Sequence, residues 1–192
     1  MMFKNRFDDR IETTRYDEPT MTNTTLTFDG FKDKNYYMSP ISPTSITYDG
    51  VTYTSVIQFM AMTKASYLSD YEKVERIMLG MLSVDEMTTY FLSKSEIQDS
   101  TVTRWRILSK YSMFNIMTHK FRNDSELRTA LMDTNPNQLR CSDPSLYEQD
   151  DVNLLAPANH SMIQEQCDNL SEVMMAVREQ LLYEFAQSYA HM

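Results

Sequence analysis

The chain has 192 residues, of which 42% are hydrophobic, and this composition suits one globular domain. Its formal net charge of −9 argues against direct binding to a nucleic-acid backbone, which requires clustered lysine and arginine. With only two cysteines, Cys141 and Cys167, and three glycines, the sequence excludes a disulfide framework, a standard zinc site and a glycine-rich phosphate loop.

The sequence contains no stretch that resembles a secretory signal or a membrane span, so we expect a reduced, cytoplasmic protein. The low glycine count and the high content of methionine (16) and tyrosine (12) favour a fast-evolving gene, such as a viral one. In that case we expect the protein in the virion or in the host cytoplasm. No metal or cofactor is expected.

The amino-terminal part of the chain differs in composition from the rest. Residues 1–24 are polar and charged, and we predict an acidic arm that is disordered or docked on a partner. A single domain is predicted over residues 25–190, beginning with a short strand at 26–28. Residues 37–43 contain two prolines and are predicted to be an extended loop.

The predicted scaffold is a β-hairpin that leads directly into a helix. Two alternating triplets within residues 46–53 flank Asp49–Gly50, a dipeptide typical of a two-residue hairpin turn. Apolar residues then recur at helical spacing over residues 56–67, and Thr54 or Ser55 is placed to cap the first turn.

Further apolar stripes predict the remaining helices. They are expected over residues 71–81, from a capping box at 83–86, over 101–121, from 124 or 125 to 135, and over 169–188. The last helix is predicted to begin at a capping box formed by Asn169 and Glu172 and to bury Phe185, after a loop over 140–160. The predicted fold class is α+β, with a small antiparallel sheet, the hairpin 46–53, covered by several α-helices.

Four blocks of residues, in order and at nearly family-like intervals, resemble the NADAR, or YbiA-like, family of N-glycosidase-fold proteins. The agreeing residues are Ser39, Pro43, Asp49, Gly50, Tyr53, Ser55, Val56, Phe59, Lys64 and Ala65 within 38–65; Trp105, Met113, Lys120 and Phe121; Leu127, Leu131, Thr134 and Leu139; and Leu170, Met175, Val177 and Arg178. The resemblance spans residues 26–182 and implies the family's fold.

The departures from the family pattern fall on residues that its chemistry uses. The resemblance implies a catalytic glutamate where this chain has Ile57, followed by a histidine where it has Gln58. The asparagine of the entry segment is replaced by Pro40, and the glycine of the last block by Ser171. A tryptophan–glycine segment that supplies an acidic residue in the family is replaced by residues 146–151, Leu-Tyr-Glu-Gln-Asp-Asp.

Cleavage of an N-glycosidic bond needs a carboxylate that stabilises an oxocarbenium-like transition state and positions the attacking water. Ile57 can do neither, and loss of such a group typically lowers the rate by about 10²- to 10⁴-fold. If hydrolysis persists, the candidate catalytic residues are Glu148, Asp150 and Asp151. The simpler interpretation is that these three are solvated loop charges.

Five residues are candidates for binding a ligand in the family pocket: Trp105, Lys64, Arg178, Ser39 and Gln58. Trp105 either stacks on a ligand ring or belongs to the core of its helix. Lys64 either lies near the pocket or is exposed on a helix face. Arg178 either pairs with a carboxylate within the fold or holds a phosphate.

The sequence therefore predicts a diverged NADAR-like domain that has lost its hydrolase activity and acts by binding. Its partner is either an ADP-ribose- or nucleotide-like ligand in the old pocket or another protein, in an interaction or structural role. The acidic arm and the acidic loop 148–151 would then be its contact surfaces. The alternative is an active N-glycosidase for ADP-ribosyl or ribosylamine-type substrates, with a relocated carboxylate.

Overall fold

A computed structural model describes residues 24–28, 35–93, 97–98, 100–141 and 160–190, with the backbone alone for 160–166. The described residues form two small sheets and six α-helices. The strands are β1 (Thr25–Phe28), β2 (Ile46–Tyr48), β3 (Val51–Tyr53) and β4 (Gln138–Cys141). The helices are α1 (Val56–Tyr67), α2 (Tyr71–Met78), α3 (Val84–Leu92), α4 (Val102–Asn123), α5 (Ser125–Met132) and α6 (His160–Ala190).

The predicted hairpin and its following helix are confirmed. Strands β2 and β3 pair antiparallel, and Asp49 and Gly50 adopt φ values of 49° and 77°, which a two-residue primed turn requires. Ser55 caps α1, its hydroxyl accepting a hydrogen bond from the Gln58 backbone N–H at 3.2 Å. The hairpin is thereby joined rigidly to the helix.

A second sheet, which the sequence did not predict, lies elsewhere in the domain. Strands β1 and β4 pair parallel, with Thr25 opposite Gln138 and Phe28 opposite Cys141. The expectation of a loop from residue 140 is therefore wrong for Arg140 and Cys141. This pairing joins positions more than a hundred residues apart, so no local pattern in the sequence could indicate it.

Helix α2 is shorter than predicted because Gly80 ends it. Gly80 adopts φ 67°, its N–H donates to the carbonyl of Ile77, and the N–H of Met81 donates to the carbonyl of Arg76. This pair of bonds is a Schellman motif, which terminates a helix at a left-handed glycine. The apolar period that predicted a helix to residue 81 includes Met78 and Met81, but these side chains are 44% and 62% exposed.

The start of α3 follows the predicted capping box. The Ser83 hydroxyl accepts from the Glu86 N–H at 3.2 Å, and the Glu86 carboxylate accepts from the Ser83 N–H at 2.8 Å. Asp124 similarly caps α5, accepting from the N–H groups of Glu126 and Leu127 at 3.0 Å. The predicted starts of α3 and α5 are thus confirmed.

The last helix, α6, is longer than expected. It begins at His160, so Asn169 and Glu172 lie within it and the predicted capping box is wrong. Glu172 forms an ion pair with Lys110 of α4 instead. Phe185 is 49% exposed, which corrects its predicted burial, whereas the rest of the stripe is buried. That buried stripe comprises Leu170, Val173, Met174, Val177 and Leu181.

The main core forms where α4 packs against both α1 and α6, with the two sheets contributing to the same cluster. Within the described ranges, no helix is long and apolar enough to cross a membrane. The predicted arm, apart from Thr24, lies outside the described residues.

Candidate functional site

The position at which the resemblance implies a catalytic glutamate lies in the apolar core. Ile57 occupies the first turn of α1, is 1% exposed and belongs to the main core cluster. Its backbone N–H donates to the carbonyl of Pro40 at 2.9 Å, which ties the helix start to the turn 39–42. The Ile57 side chain therefore contributes packing and offers no acid or base.

Gln58, the next residue, connects three parts of the fold. Its side-chain carbonyl accepts hydrogen bonds from the Thr54 N–H at 2.7 Å and the Thr54 hydroxyl at 3.1 Å. Its amide nitrogen donates to the carbonyl of Ile77 in α2 at 3.3 Å. Gln58 is buried, and these bonds hold the hairpin exit and α2 against α1.

Lys120 of α4 binds the turn that also contains Ser39. Its ammonium donates to the carbonyl of Tyr37 at 2.7 Å and to the hydroxyl of Ser42 at 2.6 Å, and it lies 3.5 Å from the carbonyl of Ser39. Ser39 itself is fully buried, and its hydroxyl accepts from the Ile41 N–H at 3.3 Å. A buried cation thus holds the turn together.

Burial shifts the proton affinity of this lysine. Lys120 is 3% exposed, and desolvation lowers its pKa from 10.5 to about 7, although the nearby Asp124 carboxylate raises it. At neutral pH the folded protein therefore holds Lys120 near its midpoint of titration, whereas the unfolded chain holds it charged.

We expect the free energy of unfolding to rise with pH between about 7 and 10.5 because of Lys120. In that range the unfolded chain binds a proton that the folded protein has released, which corresponds to a slope of up to about 1.4 kcal/mol per pH unit. Urea unfolding at several pH values in this range, for the wild type and Lys120→Met, measures the slope.

The difference between the stability–pH slopes of the two proteins gives the contribution of Lys120, because the other titrating groups are common to both. Lys110→Met, which removes a lysine from an exposed ion pair, is the control. Parallel stability–pH curves for the wild type and Lys120→Met would contradict the expectation.

Lys64 binds the carboxyl-terminal end of α3. It is 0% exposed, so its interpretation as an exposed helix-face lysine is wrong. Its ammonium donates to the carbonyl of Tyr90 at 2.5 Å and to the carbonyl of Ser93, and lies 4.9 Å from the centre of the Tyr90 ring. A cation here complements both the last carbonyls of α3 and the negative end of its dipole.

Trp105 lies among other aromatic side chains near the same helix end. It is buried, and its ring centre is 5.4 Å from that of Tyr67 and 6.2 Å from that of Phe91. These contacts agree with the interpretation of Trp105 as a core residue of α4. Stacking of Trp105 on a ligand stays a prediction.

Arg178 binds the chain between α5 and β4. Its Nη1 donates to the Thr134 hydroxyl at 3.0 Å and to the carbonyl of Asn137 at 2.8 Å, and its Nε has no partner among the described residues. Burial lowers the pKa of this guanidinium, while Glu179 raises it. Arg178 therefore has a structural role like the one predicted, but it binds a hydroxyl and a carbonyl.

Comparison with known proteins identifies the family. The family model of the NADAR domain matches residues 23–182. The chain belongs to the NADAR family. The NMR structure of the E. coli protein YbiA is similar to this NADAR domain with a TM-score of 0.60 and 20% identity, covering 86% of this chain and 89% of that chain. No curated protein matches the chain. The predicted family and α+β fold are confirmed.

The predicted site residues of the NADAR domain contact different parts of the fold. Ser39 and Ile57 meet at the turn 39–42, and Lys64 and Trp105 both approach Phe91 at the end of α3. Gln58 reaches α2. Arg178, on α6, bonds to the chain between α5 and β4.

The remaining predicted candidates are acidic. Glu148, Asp150 and Asp151 lie outside the described residues. Within the residues that the structure describes, no group of three or more histidine, cysteine or acidic side chains is arranged to hold a metal ion.

Lys120 agrees with the family pattern, but the sequence did not indicate a role for it in the site. A signal for its burial was present, because Lys120 continues the apolar stripe of α4 three and four positions after Met117 and Ile116. A lysine on the buried face of a helix must find oxygen acceptors, and the turn 37–42 supplies them.

Proposed function

We propose that this NADAR-family protein does not hydrolyse N-glycosidic bonds and acts by binding, as an interaction or structural protein. The observation that carries the proposal is the burial of Ile57, 1% exposed in the apolar core, where the resemblance implies the catalytic glutamate. An aliphatic side chain can neither stabilise an oxocarbenium-like transition state nor activate water.

The internal bonding of two candidate residues, and of Lys120, supports the same conclusion. Gln58, Lys64 and Lys120 direct their donors to backbone carbonyls and hydroxyls of the fold itself. A ligand that used these donors would have to break bonds that hold α1, α2, α3 and the turn 37–42 together. We therefore favour a contact made by the surface of the domain over a retained ADP-ribose-like ligand.

The charge of the protein indicates the kind of partner. A net charge of −9 favours a protein with a basic surface and disfavours the nucleic-acid backbone. We propose that the acidic loop, residues 148–151, with three carboxylates and no basic side chain, makes this contact together with the acidic arm, residues 1–24, which has five acidic and four basic side chains.

A hydrolysis assay tests the proposal directly. The full chain is incubated with ADP-ribosyl conjugates and ribosylaminopyrimidine phosphates, beside a family member that carries the glutamate as the positive control for the assay. We expect turnover to be absent or at least about 10²-fold below that control. The variants Glu148→Gln, Asp150→Asn and Asp151→Asn are assayed in parallel.

Turnover that any of these three variants abolishes would overturn the proposal and support the alternative, an active N-glycosidase with a relocated carboxylate. Asp85→Asn, an exposed acidic residue in the first turn of α3, is the matched control and should not alter any activity.

Ligand binding is measured separately by thermal unfolding with ADP-ribose in excess. A retained site would stabilise the protein by about 2–4 kcal/mol at 100 to 1,000 times the dissociation constant. We expect no such stabilisation, and we expect a basic protein partner to co-purify with the full chain in a salt-sensitive manner. Stabilisation by ADP-ribose would contradict this expectation and would indicate that the family pocket still binds a ligand.

A further inference from the structure

The two cysteines lie side by side although they are distant in the sequence. Cys141 is the last residue of β4 and Cys167 lies on α6. Both are buried, and their sulfur atoms are 3.2 Å apart. A disulfide requires a separation of about 2 Å, so an approach of about 1 Å would join them.

Ser171 holds the backbones of the two cysteines together. Its hydroxyl accepts a hydrogen bond from the Cys141 N–H at 2.8 Å and donates to the carbonyl of Cys167 at 2.8 Å. The family pattern has a glycine at this position, which could not make either bond. The serine therefore fixes the end of β4 against the turn of α6 that carries the second thiol.

We propose that Cys141 and Cys167 form a redox-sensitive site that closes to an intramolecular disulfide when the protein meets a peroxide. This site involves neither Ile57 nor the residues bonded around it, and it goes beyond the proposed function, although the covalent loop that it closes contains the acidic loop 148–151. In a reducing compartment both residues stay as thiols, and oxidation links β4 covalently to α6.

The reaction balances with hydrogen peroxide as the oxidant. One thiolate attacks a peroxide oxygen, the O–O bond breaks and hydroxide leaves, which gives a sulfenic acid. The second thiolate attacks that sulfur, the S–S bond forms and a second hydroxide leaves. The two thiol protons convert the hydroxides to water, and the sulfur pair loses two electrons. A small thiol reverses the bond by exchange.

The disulfide would change the stability of the domain. It would close a covalent loop over residues 141–167, which contains Glu148, Asp150 and Asp151. Closing a loop of this length restricts the unfolded chain, and we expect the unfolding midpoint to rise by roughly 5–10 °C. The same bond would tether both ends of the acidic segment.

Intact mass and thermal unfolding test the site on the full chain. The reduced protein is treated with hydrogen peroxide and compared with a sample kept in a phosphine reductant. We expect the loss of two hydrogen atoms from the mass, a linked Cys141–Cys167 peptide in a non-reducing digest, and the higher midpoint. Reductant should restore the original values.

Cys141→Ala and Cys167→Ala should each abolish the mass loss and the rise in midpoint, and Ser171→Gly should slow disulfide formation while leaving both thiols present. An unchanged mass, a gain of oxygen atoms without the linked peptide, or disulfides between chains would each overturn the proposal. If an alanine variant fails to fold, the linked peptide of the wild type decides the question.

Discussion

Replacing Ile57 by glutamate, the residue that the family resemblance implies here, is expected to destabilise the domain by about 4 kcal/mol and to restore no hydrolysis. Ile57 is 1% exposed and belongs to the apolar core cluster, so the introduced carboxylate would be removed from water. Urea unfolding at pH 7, followed by circular dichroism, measures the loss of stability, and the hydrolysis assay measures turnover.

The loss of stability in this variant should depend on pH. Burial raises the pKa of an uncompensated carboxyl, to about 8–9 in the strongest cases, so the folded variant binds a proton that the unfolded chain releases above its pKa of about 4.3. The variant should therefore lose stability as the pH rises from about 4.3 towards that raised value.

Two control variants separate charge from shape at this position. Ile57→Val removes one methylene and should cost about 1 kcal/mol with no pH dependence. Ile57→Gln has the size of the glutamate variant without its charge. It should lose stability because a polar side chain is buried, but its free energy of unfolding should not depend on pH as that of the glutamate variant does. A glutamate variant as stable as the wild type that hydrolyses ADP-ribosyl conjugates would show that the position still faces a working site.

Replacing Lys64 by methionine is expected to destabilise the domain by about 2–4 kcal/mol, because the carbonyls of Tyr90 and Ser93 would lose a charged donor inside the protein. Methionine preserves the length and apolar contacts of the side chain, so most of the cost comes from the lost bonds. Hydrogen exchange should quicken most at the carboxyl-terminal turn of α3. Equilibrium unfolding measures the total loss.

Lys73→Met is the matched control for this experiment. The Lys73 ammonium lies 5.2 Å from the centre of the same Tyr90 ring, so its loss removes a cation over that ring while leaving the Lys64 bonds in place. We expect a cost of about 0.5–1 kcal/mol. Equal losses in the two variants would mean that Lys64 acts through the ring and not through the end of α3.

The features that were predictable from sequence are those that neighbouring residues determine. Asp49–Gly50 specifies a tight turn through its backbone conformation, and Ser83 with Glu86 starts a helix through bonds that span three positions. The period of the apolar residues likewise identified α1, α4 and most of α6.

Local sequence signals gave wrong predictions at two places. Met81 continues an apolar period, but the left-handed Gly80 before it ends the helix and exposes the side chain. Asn169 and Glu172 have the spacing of a capping box, yet the chain is already helical from His160. In the first case a periodic pattern continues past the end of the helix, and in the second a capping-box spacing occurs inside a helix.

The sequence by itself determined the family, the hairpin, the helix order and the isoleucine at position 57, where the resemblance implies a glutamate, because these depend on residue identity and short-range spacing. Only the tertiary structure decided that Ile57 lies in the core, that Lys64 and Lys120 bind carbonyls inside the fold, and that Cys141 meets Cys167. These contacts join residues from 26 to more than 80 positions apart. The environment of each side chain therefore depends on packing between elements, which no local pattern encodes.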